Sequence, residues 1–185
     1  TNWLVAVAES CGWRAQSTSV PGVAQRTGAT IYYIEMVPES IANPVLALMP
    51  SPGDVDLVIA AELMEAGRAI QRGLVSPDRT TLVASSHRSF AVSEKAALGD
   101  GAADPAPVLA AAHEMSKRFV CADMAVLAER HGSVISASLF GAVAAAGTLP
   151  FPREAFEATI RDGGVGVGPS LDAFAAGFEA VSQGE

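Results

Sequence analysis

Ser17-Thr18-Ser19-Val20-Pro21-Gly22-Val23-Ala24-Gln25-Arg26-Thr27-Gly28-Ala29-Thr30 decides how the chain is parsed. A short strand is predicted before it, over 13–18. After it comes Thr30-Ile31-Tyr32-Tyr33-Ile34-Glu35-Met36, a run of branched and aromatic side chains that favours a second strand. The stretch itself is too polar and too rich in breakers to be either one, so it reads as a loop held between two strands. Pro21-Gly22 signals a turn, because proline presets φ and glycine accepts a positive value. Gly28 is a second break. Between them Gln25, Arg26 and Thr27 set an amide, a guanidinium and a hydroxyl in a row, with the hydroxyls of Ser17, Thr18, Ser19 and Thr30 around them. Such groups suit an anionic or carbonyl-bearing ligand, or a polar partner surface; the same composition also describes an ordinary solvated crossover loop.

Working outward, residues 2–11 read as a helix with Leu4, Val7, Ala8 and Cys11 on one face and Gly12 as its stop. Beyond the second strand, 44–50 is a short apolar run between prolines, either a strand or a connection. Residues 54–61 have the signature of a buried strand, and 62–74 continue as a helix with Leu63, Ala66, Ala69, Ile70 and Leu74 on one face. Glu62 falls where strand meets helix, either facing a site or complementing the helix dipole. A strand over 80–86 runs into His87, one of three histidines, which stands at a strand end without a nearby carboxylate or nucleophile in sequence.

A short helix is expected over 92–97. Next come a Gly-, Pro- and Asp-rich excursion and a helix over 107–119 striped by Leu109, Ala112, Met115 and Phe119. A strand over 119–122 leads to Asp123, which caps a helix ending at His131-Gly132. The helix over 133–147 is small or apolar all round, which places it in a core or a partner interface. A helix over 152–161, a glycine-rich linker over 163–168 and a closing helix over 171–181 complete the chain. The glycine run lacks the preceding strand and the Lys-Ser/Thr of a phosphate loop. Strands alternating with helices predict an α/β fold: a Rossmann-like sandwich, one domain over 1–185, with a mostly parallel sheet and helices on both faces.

Composition narrows the function. The chain has 185 residues, half of them hydrophobic and only 17% charged, with a formal net charge of −8. No Lys/Arg cluster is present to displace nucleic-acid counterions, and the acidic balance disfavours anionic membranes. No apolar run reaches membrane length. Cys11 and Cys121 lack ligand-spaced Cys or His neighbours, so neither metal nor iron–sulfur sites are expected in this chain, and both read as reduced thiols of a cytoplasmic protein.

The run Ser19-Val20-Pro21-Gly22-Val23-Ala24-Gln25-Arg26-Thr27-Gly28 resembles a segment of the gamma-type subunit of 2-oxoacid:ferredoxin oxidoreductases, with Ala24-Gln25-Arg26-x-Gly28 as its core. The likeness is greatest to the beta subunit of indolepyruvate oxidoreductase. It extends to Asp54 or Asp56 through Glu62 and Glu65-Ala66, to the 133–147 helix followed by Leu149-Pro150, and to the last helix. This sequence has Ser136 or Ser138, and Ser170, where the family often has asparagine. The family also carries a strand and a glycine-rich loop ahead of the first helix, so the sequence is expected to lack them.

The resemblance implies a hetero-oligomeric oxidoreductase acting on the oxo group of 2-oxo acids, active only with a partner subunit or domain. A 2-oxo acid, indolepyruvate in the nearest relative, is oxidatively decarboxylated to its acyl-CoA, with coenzyme A as co-substrate and ferredoxin reached through the partner. Thiamine diphosphate, Mg²⁺ and iron–sulfur clusters are expected on that partner and none on this chain alone. Ser19, Gln25, Arg26, Thr27 and Gly28 are the implied cofactor- or CoA-facing residues; no catalytic residue is assigned. The alternatives are an assembly module that docks a partner without catalysis and, more remotely, a stand-alone nucleotide-binding enzyme.

Overall fold

Among the described residues, five strands form two separate sheets. The computed structural model describes residues 1–19, 30–87 and 104–184. β1 (Trp13–Ser19) and β2 (Tyr32–Pro38) pair antiparallel from Trp13 opposite Pro38 to Ser19 opposite Tyr32. β3 (Leu57–Ala60), β4 (Thr81–Ser85) and β5 (Arg118–Ala122) pair parallel, in that order. Seven helices are described: α1 (Asn2–Ser10), α2 (Leu63–Gln71), α3 (Ala106–Met115), α4 (Met124–Arg130), α5 (Ile135–Ala146), α6 (Arg153–Asp162) and α7 (Val167–Ser182). The α/β class with a parallel sheet and helices on both faces is as expected. The first two strands, however, form a hairpin of their own.

Strand periodicity assigns the layers. Every residue of β4 is buried. Leu82 and Ala84 turn toward α2 and α3, into a cluster with Ala60, Ala66 and Ala112. Val83, on the opposite face, joins the larger cluster with Val7, Met124, Phe140, Val143, Phe156 and Phe174. Two apolar faces require cover on both sides, and the intervening helices supply it. Phe140 is the hub of the larger core, with ring centroids of Trp3, Phe156 and Phe174 at 5.4, 4.8 and 5.9 Å, within the range where aromatic pairs attract. The hairpin lays Trp13, Ala15 and Met36 on the same cluster.

The apolar α5 is a core helix. It is buried from Ala137 through Val143, and its closest partner is α7. Gly141 meets the backbone of Phe174, and Gly177 of α7 meets the backbone of Ser138; a Cβ on either would stand 1.9 or 2.0 Å from a carbonyl oxygen. Two glycines on facing helices thus bring the backbones into direct contact. Gly147 ends α5 in the left-handed conformation at φ 65°, which glycine accepts without a Cβ clash.

Several boundaries differ from expectation. β1 runs one residue past the expected end at Thr18, because Ser19 pairs with Tyr32 in the ladder. β2 begins at Tyr32, not Thr30, and extends through Pro38. The 44–50 run is a connection. α3 stops at Met115: Ser116 is extended, and its hydroxyl donates back to the Ala112 carbonyl at 2.5 Å. Phe119 therefore lies in β5, its ring edge-on to His113 at 4.9 Å. α2 ends at Gln71, and α5 starts at Ile135 after a Val134 cap. The glycine-rich run is no long linker, since α7 starts at Val167 and takes Gly168 into its first turn. The expected helix over 92–97 lies outside the described residues.

Candidate functional site

β1 and β2 deliver the candidate loop. Their last paired residues, Ser19 and Tyr32, are both exposed and stand opposite each other. Gln25, Arg26, Thr27 and Gly28 lie outside the described residues. Of the five predicted site residues, Ser19 is therefore the one the structure places, at the hairpin end. One residue before it, the Thr18 hydroxyl donates to the Leu48 carbonyl at 2.8 Å. The base of the loop is thereby tied to the connection that crosses the hairpin.

The carboxyl ends of β3, β4 and β5 form a second place where a ligand would meet an open α/β sheet. Glu62 caps α2: its carboxylate accepts from the Met64 amide at 3.1 Å. Asp123 caps α4 in the same way, accepting from the Val126 amide at 3.0 Å. Among the described residues, the two helix N-termini at this edge are thus engaged by the chain's own acids. The dipole-complementing role of Glu62 is the one the geometry supports.

Between these caps, the segment after β4 is laced to both neighbours. The Leu63 amide donates to the His87 carbonyl at 3.1 Å, and the Ser86 amide to the Ala122 carbonyl at 3.0 Å. Ser85 is fully buried, and its hydroxyl oxygen accepts from the amides of His87 at 3.3 Å and Met124 at 3.1 Å. Sequence reading missed this residue. Its one available signal is a hydroxyl at the end of a strand whose centre, Leu82 to Ala84, is apolar. The hydrogen bonds described for His87 are made by its backbone, and its side chain is exposed to solvent.

Other polar candidates are structural. The Ser138 hydroxyl is buried on the carbonyls of Met124 and Ile135, at 2.6 and 3.0 Å, and so ties α5 to α4. Ser170 faces the Ser133 hydroxyl at 3.3 Å. A shallow cleft at the β5 edge is lined by His113, Arg118, Phe119 and Cys121. One guanidinium nitrogen of Arg118 donates to the Ala146 carbonyl at 2.6 Å, at the end of α5. Burial pushes the Cys121 thiol up from its ordinary range, and the charge of Asp123 adds to the effect. The protonated thiol is not a nucleophile. Among the described residues no three His, Cys, Asp or Glu side chains gather as a metal site, and no helix is long and apolar enough to cross a membrane.

A parallel sheet sandwiched by helices, with its loops laced at the strand carboxyl ends, defines a Rossmann-like α/β domain. The chain belongs to the pyruvate ferredoxin/flavodoxin oxidoreductase family, whose model matches residues 1–180. Two solved structures share the fold. One is a pyruvate oxidoreductase subunit from Thermotoga maritima, 19% identical with a TM-score of 0.61, aligned over 96% of this chain and 85% of that one. The other is the gamma subunit of a keto/oxoacid ferredoxin oxidoreductase from Geobacter sulfurreducens, 13% identical with a TM-score of 0.58, aligned over 97% and 86%. Among curated proteins, none matches the chain.

Proposed function

We propose that this chain is the gamma-type subunit or domain of a cytoplasmic 2-oxoacid ferredoxin oxidoreductase, of the indolepyruvate type, and that it completes an active site whose thiamine diphosphate is bound by a partner subunit. The observation that carries the proposal is the family match across residues 1–180. The names of the two structural neighbours, both subunits of such enzymes, support a partner. The Ala24-Gln25-Arg26-x-Gly28 core supports the gamma-type assignment, and the indolepyruvate type rests on the sequence resemblance alone.

The described carboxyl edge is a poor seat for a diphosphate. Glu62 and Asp123 put carboxylates on the two helix ends there, and like charges repel. That is in keeping with thiamine diphosphate on the partner, as the family resemblance implies, where it would supply the carbanion stabilisation that decarboxylation needs. This chain contributes the hairpin loop. Arg26 meets an anionic group of CoA or of the partner-bound cofactor, while Gln25 and Thr27 offer amide and hydroxyl hydrogen bonds that orient it. The acyl group then leaves as its CoA thioester, with electrons passing through the partner to ferredoxin.

The test is Arg26→Ala in the reconstituted complex, with indolepyruvate and CoA. Loss of one charge-assisted contact of about 1.5–3 kcal/mol predicts roughly a 10- to 150-fold fall in kcat/KM for CoA, with unchanged circular dichroism and unchanged complex formation. Wild-type kinetics in that variant would remove the loop from the reaction.

A further inference from the structure

The connection between β2 and β3 is an unusual piece of surface. Residues 40–53 contain no charged side chain, in a chain with a net charge of −8. They contain three prolines, and Asn43 sits in the left-handed region at φ 51°. The middle of this strap crosses the face of the hairpin that turns away from the core. Gln16 donates to the Ala47 carbonyl at 3.2 Å, Thr18 donates to the Leu48 carbonyl at 2.8 Å, and Glu35 accepts from the Ala47 amide. Backbone anchoring of this kind leaves the side chains outside. Val45 is 96% exposed, Leu48 68%, Met49 57% and Ile41 45%. Four of the nine exposed large hydrophobics among the described residues thus stand on nine consecutive residues.

We infer that this strap is the docking surface for the thiamine-diphosphate-binding partner subunit, which meets Ile41, Val45, Leu48 and Met49 with an apolar, uncharged face. The inference rests on the subunit role proposed above. Three features favour that occupant. An anchored apolar patch without charge has the composition of the buried centre of a lasting interface, where charged residues are depleted and methionine is enriched. An electron-carrier protein, by contrast, docks through a small and transient contact steered by charge. An anionic membrane needs basic residues, and residues 40–53 have none. The bond from Thr18 to Leu48 also places the patch beside the root of the candidate loop. A partner seated on the strap would therefore be held next to the loop that must reach its cofactor.

The experiment uses this chain and the thiamine-diphosphate subunit, co-expressed. Val45→Asp and Leu48→Asp should weaken the complex by roughly thirtyfold or more, the effect of losing a central interface anchor. Thermal midpoints of the free variants should match wild type, since both side chains already face solvent. Val165→Asp, at a position 90% exposed before α7, should leave association unchanged. On the unsubstituted proteins, amide exchange over 41–49 should slow when the partner is added.

An unweakened complex in both variants, or exchange over 41–49 unaffected by the partner, would overturn the assignment while leaving the subunit role intact. Flotation of the wild-type chain with phosphatidylcholine vesicles, lost in Val45→Asp, would give the strap to lipid and also overturn it. A wild-type chain that never associates with the thiamine-diphosphate subunit would overturn the subunit role itself and this inference with it.

Discussion

Gly177→Ala is the most demanding test of how α5 and α7 are held together. The added methyl would stand 2.0 Å from the Ser138 carbonyl oxygen, with the Ser138 carbonyl carbon at 2.7 Å and its Cα at 2.9 Å. An ordinary carbon–oxygen contact is about 3.3 Å or longer, so the helices must part by roughly 1.3 Å. The atoms met are backbone, and no side-chain rotation relieves them. Overpacking of a core costs about 1–3 kcal/mol, and a backbone clash belongs at the upper end. Alanine recovers about 1 kcal/mol of helix propensity, leaving a net destabilisation of about 2 kcal/mol. That corresponds to about a thirtyfold shift in the folded-to-unfolded ratio and roughly 4–8 °C in Tm for a chain of this length. The same substitution at Gly168, in the first turn of the same helix, meets nothing within 4 Å. Gly168→Ala should therefore stabilise by up to about 1 kcal/mol. Urea unfolding of both variants measures the pair. A Gly177→Ala protein within about 0.5 kcal/mol of wild type would refute the close backbone packing, because that is the scatter expected of an ordinary surface substitution.

Two further outcomes follow from the polar contacts. Ser85→Ala leaves the amides of His87 and Met124 without the acceptor that now joins them; it should cost about 1–3 kcal/mol in urea unfolding and speed amide exchange at both positions. Glu157 accepts from Arg153 at 2.8 Å and from Arg161 at 3.0 Å, and these bonds, Arg153 first, lower its pKa below the ordinary 4.5. A carboxyl depressed in the folded state adds stability above its unfolded pKa and loses it as pH falls through the folded value. Stability measured from pH 6 down to pH 3 should decline more steeply in wild type than in Glu157→Gln, by the modest amount typical of surface pairs, about 0.2–1 kcal/mol. Parallel curves would show that these ion pairs contribute nothing.

The parts of the fold legible in sequence are those where one force dominates. Residues 80–86 set Leu82, Val83 and Ala84 between small hydroxyl residues, with β-branched threonines leading in, and β4 is buried at every position. The 133–147 run has no polar face to present to water, so its burial follows from composition. Asp123 announced its cap because a carboxylate satisfies helix amides wherever it precedes an apolar run. Failures came where distant partners decide. Ser19 has no strand preference of its own, and only its register with Tyr32 carries β1 one residue past the expected end at Thr18. Phe119 continued a helical spacing by chance, and the Ser116 hydroxyl ended the helix before it. In 163–168 a count of glycines suggested slack, yet Gly166 at φ 61° is the residue that starts α7. The strap was legible only as an apolar run between prolines. Its exposure depends on Gln16, Thr18 and Glu35 holding its backbone from across the hairpin.

The same contrast assigns roles within the domain. Among the described residues at the carboxyl edge of the parallel sheet, the groups that would bind an anion are engaged by the fold: Glu62 and Asp123 close the helix ends, and Ser85 is fixed by two amides. Such an edge has its described polar groups already paired. It suits a scaffold, because contacts already satisfied cannot be spent on substrate. The hairpin differs: its strands carry exposed hydroxyls at Ser17 and Ser19, a strap of outward apolar side chains, and a loop with Gln25, Arg26 and Thr27 in sequence. The candidate recognition groups are thus on the element outside the parallel sheet, and the sheet, with the locked α5–α7 pair behind it, fixes where that element stands. This distribution supports the proposed role at a junction with another chain. It follows that damage to the hairpin should lower turnover of the assembled enzyme without unfolding the domain, whereas damage to Gly177 should lower both together.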